Sequence, residues 1–323
     1  MPRHLLVRIL SALALAMLLA SCASTRTITE QPPVAYVAKD DGSLFTRHAP
    51  VFVPQYHYKT YNKIGRPSAH YDAQGREQIY VDPAVPMMYA QQQTFQTSKG
   101  SYTNLIYRVH FQGVPYFHLT AGKNSGLFVV ITLNQKEEPV LVTTVHSCGC
   151  YLAIIPTRYL PGDAYPQEWN FAQPQSVYGE TLPARLDYPA SSGADQRPVV
   201  FLRDATHRVM NVKIGAQGDA YNIIATPIEP MASLKKLPLD SRTTTSFYET
   251  QGFRKGYVKG AVKPLEVLLM SWWALDPHIG SDKELGDSRE TGTVFYTSLK
   301  PWNRTASDMW EFARFLEFWG WRL

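Results

Sequence analysis

Chemistry concentrates in one short stretch of this chain, His146-Ser-Cys148-Gly-Cys150-Tyr151, which follows the apolar run Pro139–Val145. If extended backbone persists through it, residues two apart share a face, so the imidazole of His146 and the thiols of Cys148 and Cys150 converge. Three chemistries fit such a set. Thiolate and imidazole suit a soft transition metal, which makes copper or zinc the implied cofactor. A closed zinc site needs a fourth ligand from elsewhere, with His110, His118 and His207 as candidates. Alternatively, an imidazolium beside the thiols stabilises a thiolate for redox work, and Gly149 lets the pair close into a disulfide. The third is structural: a local disulfide, or two buried thiols at a strand end. The spacing is not C-x-x-C, so thioredoxin mechanics do not transfer, and without C-x-x-C-H there is no covalent haem site.

A second concentration of polar groups lies at Ala274-Leu-Asp276-Pro-His278-Ile-Gly-Ser-Asp282-Lys283-Glu284. Asp276 paired with Asp282, or Asp276 with His278, would serve a hydrolytic acid/base pair if their surroundings pushed the two pKa values apart. The spacing does not fit an EF-hand, and a solvated polar loop is the plain alternative. His110, His118 and His207 lie in or beside strands, where a structural histidine is the ordinary outcome. Trp272, Trp273, Trp302, Trp310, Trp319 and Trp321 could stack on sugar rings, but their clustering around helical segments points to core. The chain carries no Walker loop, dinucleotide fingerprint, H-E-x-x-H or G-x-S-x-G.

The elements that must position these groups are mainly strands. In Asn104–Phe111, Leu105, Tyr107, Val109 and Phe111 fall on one face and Asn104, Ile106, Arg108 and His110 on the other. Leu127–Leu133 and Pro139–Val145 are rich in β-branched residues and predict a hairpin at the centre of a sheet. Val199–Leu202, His207–Ile214 and Tyr221–Thr226 extend an antiparallel pattern. Residues 34–98 predict short strands and loops, with turns at Gly65-Arg66-Pro67 and Asp72–Gly75. Tyr188–Pro198 reads as a long loop, and no internal repeat is present. After Pro264, Leu265–Leu275 is dense enough in apolar residues for a buried helix, and Asp308 with Glu311 caps a last helix that packs on the sheet through Met309, Phe312, Ala313, Leu316 and Trp319.

The amino terminus places this domain in a compartment. Residues 1–8 carry Arg3 and Arg8 and no acid, and the twelve that follow are apolar or small apart from Ser11. Twelve helical residues span about 18 Å, short of a hydrocarbon core of roughly 30 Å, so the segment is an export signal rather than a membrane span. It closes on Leu19-Ala20-Ser21-Cys22, which resembles the lipobox of bacterial lipoproteins. That resemblance, confined to residues 1–22, implies lipidation of the Cys22 thiol, cleavage before it and acylation of the new amine. Ala23 stands where a retention signal often places Asp, which under the same resemblance implies the outer membrane, facing the periplasm.

Cleavage removes two arginines and no acid, lowering the formal net charge from +5 to +3. That mild excess argues against nucleic acid. With 18% charged and 12% aromatic residues, the mature chain is an ordered globular protein. The expected organisation is a signal peptide over 1–21, a tether over 22–33 and one domain over 34–323. The expected fold is α+β, a mainly antiparallel, sandwich-like sheet core with helices near the C-terminus. The preferred function is that of a lipid-anchored, non-enzymatic envelope protein binding a soft metal through His146, Cys148 and Cys150. An enzyme using a thiol or an Asp/His pair is the runner-up, and a structural or glycan-contacting lipoprotein the third.

Overall fold

An apolar run that never alternates needs cover on both faces, and Leu127–Leu133 has it: every residue is buried. The computed structural model describes residues 32–189, 196–216 and 221–323. The expected signal peptide, Cys22 and most of the expected tether lie outside these residues, as does part of the loop expected over Tyr188–Pro198. Residues 33–323 form one compact unit.

Along the chain come β1 (Val34–Ala38), α1 (Leu44–His48), β2 (Val51–Pro54), β3 (Arg66–Tyr71), β4 (Glu77–Asp82), β5 (Met88–Thr97), β6 (Gly100–Val114), β7 (Gly122–Leu133), β8 (Pro139–His146) and β9 (Ala153–Pro156). There follow β10 (Gln175–Val177), β11 (Glu180–Leu182), β12 (Arg197–Leu202), β13 (Val209–Gly215), β14 (Asn222–Thr226), β15 (Ile228–Pro230), β16 (Leu237–Pro238) and β17 (Thr244–Thr245). The helices α2 (Pro264–Ala274), α3 (Ser288–Thr291) and α4 (Phe312–Phe318) close the chain. The class is α+β with mostly antiparallel sheets, as the sequence predicts.

Six strands form the central sheet in the order β15-β5-β6-β7-β8-β9, and five form a second in the order β13-β12-β2-β1-β14. The hairpin of β7 and β8 stands inside the central sheet, in register from Leu127 opposite His146 to Leu133 opposite Pro139. The pairing is not antiparallel throughout. β14 runs parallel to β1, β12 to β2, and β15 to β5. Local alternation cannot foresee this, because the partners of these pairs come from distant parts of the sequence.

The two faces of the central sheet have different cover. Leu105, Tyr107, Val109, Phe111, Leu127, Val129 and Ile131 pack with Tyr36, Phe52, Val200 and Leu202 of the five-stranded sheet. The opposite face, through Tyr89, Ile106, Phe128 and Val130, packs with Phe247, Phe295, Phe312, Phe315 and Trp321 from the C-terminal third. Burial on that second face extends to Arg108 and His110, the polar side of the β6 alternation. The Arg108 guanidinium donates to the Tyr248 hydroxyl at 2.6 Å and lies 4.8 Å from the Phe128 ring centre.

Three helical expectations change. α2 forms where predicted but is not buried: only Glu266 and Ala274 are, while Leu268 and Trp272 are 71% and 73% exposed. α4 starts later than the Asp308 cap implies, because Asp308 accepts instead from the Trp310 amide at 3.1 Å. The tryptophans are also less buried than their clustering suggests. Of the six singled out, only Trp321 is buried, and Trp272, Trp273, Trp302 and Trp319 are exposed. α4 does pack on the sheet, with the rings of Phe312 and Phe95 5.3 Å apart.

The packing sets the scale of a mutational test. Ile131→Ala, in fully buried β7, should lower the unfolding free energy by about 2–5 kcal/mol in denaturant titrations. Ile223→Ala, on edge strand β14 and 52% exposed, should change it by less than about 0.5 kcal/mol. Equal losses would contradict the layering.

Candidate functional site

The backbone turns at the cysteines instead of staying extended. The Gly149 amide donates to the His146 carbonyl at 2.7 Å, and the His146 amide to the Cys150 carbonyl at 2.9 Å, closing a loop between β8 and β9. Gly149 has φ +92°, and a β-carbon there would fall 2.1 Å from the Tyr296 carbonyl oxygen. Glycine is required on both counts. The loop brings the two sulfurs to 2.8 Å from one another, with Cys148 buried and Cys150 partly open.

The second polar stretch packs onto this loop. The Ser147 amide donates to the Gly126 carbonyl of β7, and the Ser147 carbonyl accepts from the Lys283 amide at 2.8 Å. Asp282 Oδ1 accepts from the Ser147 hydroxyl and, at 3.3 Å, from the Gly126 amide. Its other oxygen, Oδ2, lies 3.8 Å from Lys263 Nζ. Lys283 Nζ donates to the Cys148 carbonyl at 2.5 Å and sits 4.1 Å above the Tyr296 ring centre. Glu266, in the first turn of α2, is buried against Gly280, whose φ is +75° and whose Cα leaves no room for a β-carbon. Cys148, Asp282, Lys263, Lys283 and Glu266 are thus gathered out of solvent.

Electrostatics separates the members of this cluster. Burial raises the Cys148 thiol, but a hydrogen bond from its neighbour to the thiolate and the charge of Lys263 outweigh it, leaving Cys148 below a free thiol. With that charge in place, Cys150 is held well above the free value, first by the same hydrogen bond and then by burial. Burial opposes the charge on Lys263, yet the thiols, Asp282 and Glu266 together hold its ammonium well above the usual range. Lys283 is lowered by burial, and burial raises Glu266. The arrangement can hold one thiolate in the dithiol and accept a proton nearby.

The remaining candidates lie in other networks. His146 turns its Nε2 to the His207 carbonyl at 3.1 Å, and its ring meets Tyr151 edge-on at 4.8 Å. The His207 Nε2 is bonded to the Tyr61 carbonyl at 2.8 Å, and its ring stacks on Phe111 at 3.8 Å. His110 is boxed between the rings of Tyr89 and Phe247. His118 lies half-buried in the loop after β6. Asp276 accepts from the Tyr296 hydroxyl and, at 2.8 Å, from the His278 amide, while the His278 ring lies between Phe253 and Tyr257. Asp276 and Asp282 therefore serve different networks. Among the described residues, no three His, Cys, Asp or Glu side chains are placed to hold a metal ion.

Sequence reasoning missed Lys263 and Glu266, and it gave no role to Ser147 and Lys283, which stand in the two stretches it singled out. One signal was available: Glu266 is the lone charge in an otherwise apolar helix, and a charge retained there has a partner inside.

Two measurements test these assignments. Thiolate absorbance near 240 nm should rise in two separated steps, the first below and the second well above the ordinary range, and Lys263→Met should move the first upward. A single step at the free-thiol value, unmoved by that change, would refute the pairing. The second concerns buried histidines. Burial lowers His207 to about 3 and His48 to about 4, and takes His110 and His146 well below the usual value. Below about pH 6.5 the unfolded chain therefore binds protons that the native state refuses, so stability falls with pH through that window. The melting temperature should drop between pH 7 and about pH 4.5, and a flat profile would contradict the assignment. Among protein-family models, curated proteins and solved structures, none matches this chain.

Proposed function

We propose that this chain is a lipid-anchored envelope protein whose working element is the Cys148/Cys150 pair, passing oxidising equivalents to thiol-bearing partners and restored to the disulfide by exchange with a disulfide-bearing donor that leaves as its dithiol. The observation that carries this is the 2.8 Å approach of the two sulfurs beside buried Lys263. Closing that gap into a disulfide takes a movement of under about an ångström. Of the two residues only Cys150 is not buried, so a partner meets the pair there. Attack of a partner thiolate on Cys150 Sγ breaks the bond to Cys148, which leaves as the thiolate stabilised by Lys263, and a low thiol pKa favours leaving. A second partner thiolate then displaces Cys150. The partner gains a disulfide, the protein takes up two electrons as a dithiol, and the protons released by the partner's thiols reach Cys150 and bulk water.

The soft-metal alternative through His146, Cys148 and Cys150, with copper or zinc, has less support. The His146 imidazole is directed to the His207 carbonyl, and the cation nearest the sulfurs is already an ammonium, which repels a second positive charge. An Asp/His hydrolytic pair has less still, since neither His278 ring nitrogen is bonded to Asp276.

Thiol trapping at graded redox potentials decides. The pair should titrate as one two-electron couple between about −300 and −120 mV, and Lys263→Met should lower its potential by destabilising the thiolate. A bond that stays closed across that range would make it structural. Stoichiometric copper or zinc on reduced protein, lost on Cys148→Ser and His146→Ala, would replace redox cycling with metal binding.

A further inference from the structure

α2 is built inside out. Leu265, Leu268, Leu269, Trp272 and Trp273 recur at helical spacing, the stripe that ordinarily meets a core, and all five are exposed. The single charge of the helix, Glu266, points inward to the dithiol cluster. Its outer surface therefore bears no charge. The apolar surface continues past both ends. At the N-terminal end, a cleft of about 1240 Å³ is lined by Val262, Pro264, Leu265, Pro115 and Tyr116, with Glu77, Lys123, Glu249 and Lys259 also in its wall, and the loop beyond Tyr116 presents Phe117, 100% exposed, and Leu119. At the C-terminal end, Leu275 is 70% exposed, and Arg304 donates to the Ala274 carbonyl at 2.5 Å.

We propose that α2 and the Pro115–Thr120 loop dock the domain onto the surface of a lipid bilayer. This rests on the lipid-anchor reading of Cys22, which determines what lies nearest. From Cys22 to Pro32 the chain reaches at most about 35 Å. A domain of this size has a radius of gyration of about 19 Å, and a tether longer than that keeps the bilayer at high effective concentration beside it. Eleven residues make a helix of about 16 Å, and among the described residues no helix is long and apolar enough to cross a membrane. α2 thus lies in the interface, where paired tryptophans and leucines are at home, rather than across it. Because Lys263 and Glu266 flank its first turn, docking places the dithiol cluster one helix-width from the headgroups.

The test uses residues 22–323 with Cys22→Ser, a chain that keeps the tether and every described element but carries no lipid. It should co-sediment with neutral phosphatidylcholine vesicles, and brominated acyl chains should quench its tryptophan emission. Leu268→Asp combined with Leu269→Asp should weaken vesicle binding at least about tenfold. Because both side chains are exposed, the melting temperature should not move, which separates lost docking from misfolding. Trp272→Phe with Trp273→Phe should keep the binding and lose most of the quenching. Failure of the Cys22→Ser chain to bind at about millimolar lipid, the effective concentration that a short tether supplies, overturns the proposal, and self-association abolished by the Leu268/Leu269 change would then assign the face to a second copy. Binding insensitive to that change overturns it as well. Labelling of Cys22 with radioactive palmitate in cells tests the anchor by itself: label without vesicle binding sinks docking alone, and vesicle binding without label sinks the anchor alone.

Discussion

The carboxylate of Asp282 ties together segments that the chain keeps far apart. One oxygen gathers the Ser147 hydroxyl and the Gly126 amide, and the other faces the Lys263 ammonium. Strand β7, the cysteine loop and the start of α2 are thereby fixed to one another at a point from which water is excluded. A buried carboxylate is costly unless it is paired and hydrogen-bonded, and this one has both. Removing it would leave Lys263 as an uncompensated buried cation next to two thiols. The geometry of the dithiol depends on that balance more than on any contact made by the cysteines themselves.

The same balance accounts for the orientation of α2. A helix ordinarily turns its apolar stripe to the core, yet here the core side must supply Glu266 and carry Lys263 at its start, because two thiols, a carboxylate and two ammonium groups have to be neutralised together. The apolar stripe is left on the opposite side. Burial of apolar area would favour rotating the helix by half a turn, but that would bury five large side chains against a charged cluster and expose the ion pair's partners. Electrostatic satisfaction wins over apolar burial at this position.

Behind the cluster, the central sheet is rigid because both of its faces are covered. Arg108 and His110 are the price of a second buried face on a strand that alternates: Arg108 has one hydroxyl partner and several ring faces while its Nε and Nη2 have no hydrogen-bond partner, and His110, boxed between two rings, is pushed by burial well below the usual imidazole value. The strands flanking the cysteine loop are therefore packed on both faces, and the loop they hold closes through its own backbone hydrogen bonds to bring the sulfurs together.

The sequence by itself determined the α+β class, the β7–β8 hairpin, the turn at Asp72–Gly75 and the position of α2. Each is written in local periodicity or turn residues, which act over a few residues. It did not determine that β1, β2 and β5 take parallel partners, because those partners come from remote segments and leave no local trace. Nor did it determine which way α2 faces, since a stripe of leucines and tryptophans looks the same whether it meets a core or faces outward. Only the tertiary structure brought Lys263, Glu266, Asp282 and Lys283 to the thiols, across more than a hundred residues of chain. Electrostatic pairing is read through space, and no spacing along a single chain encodes it.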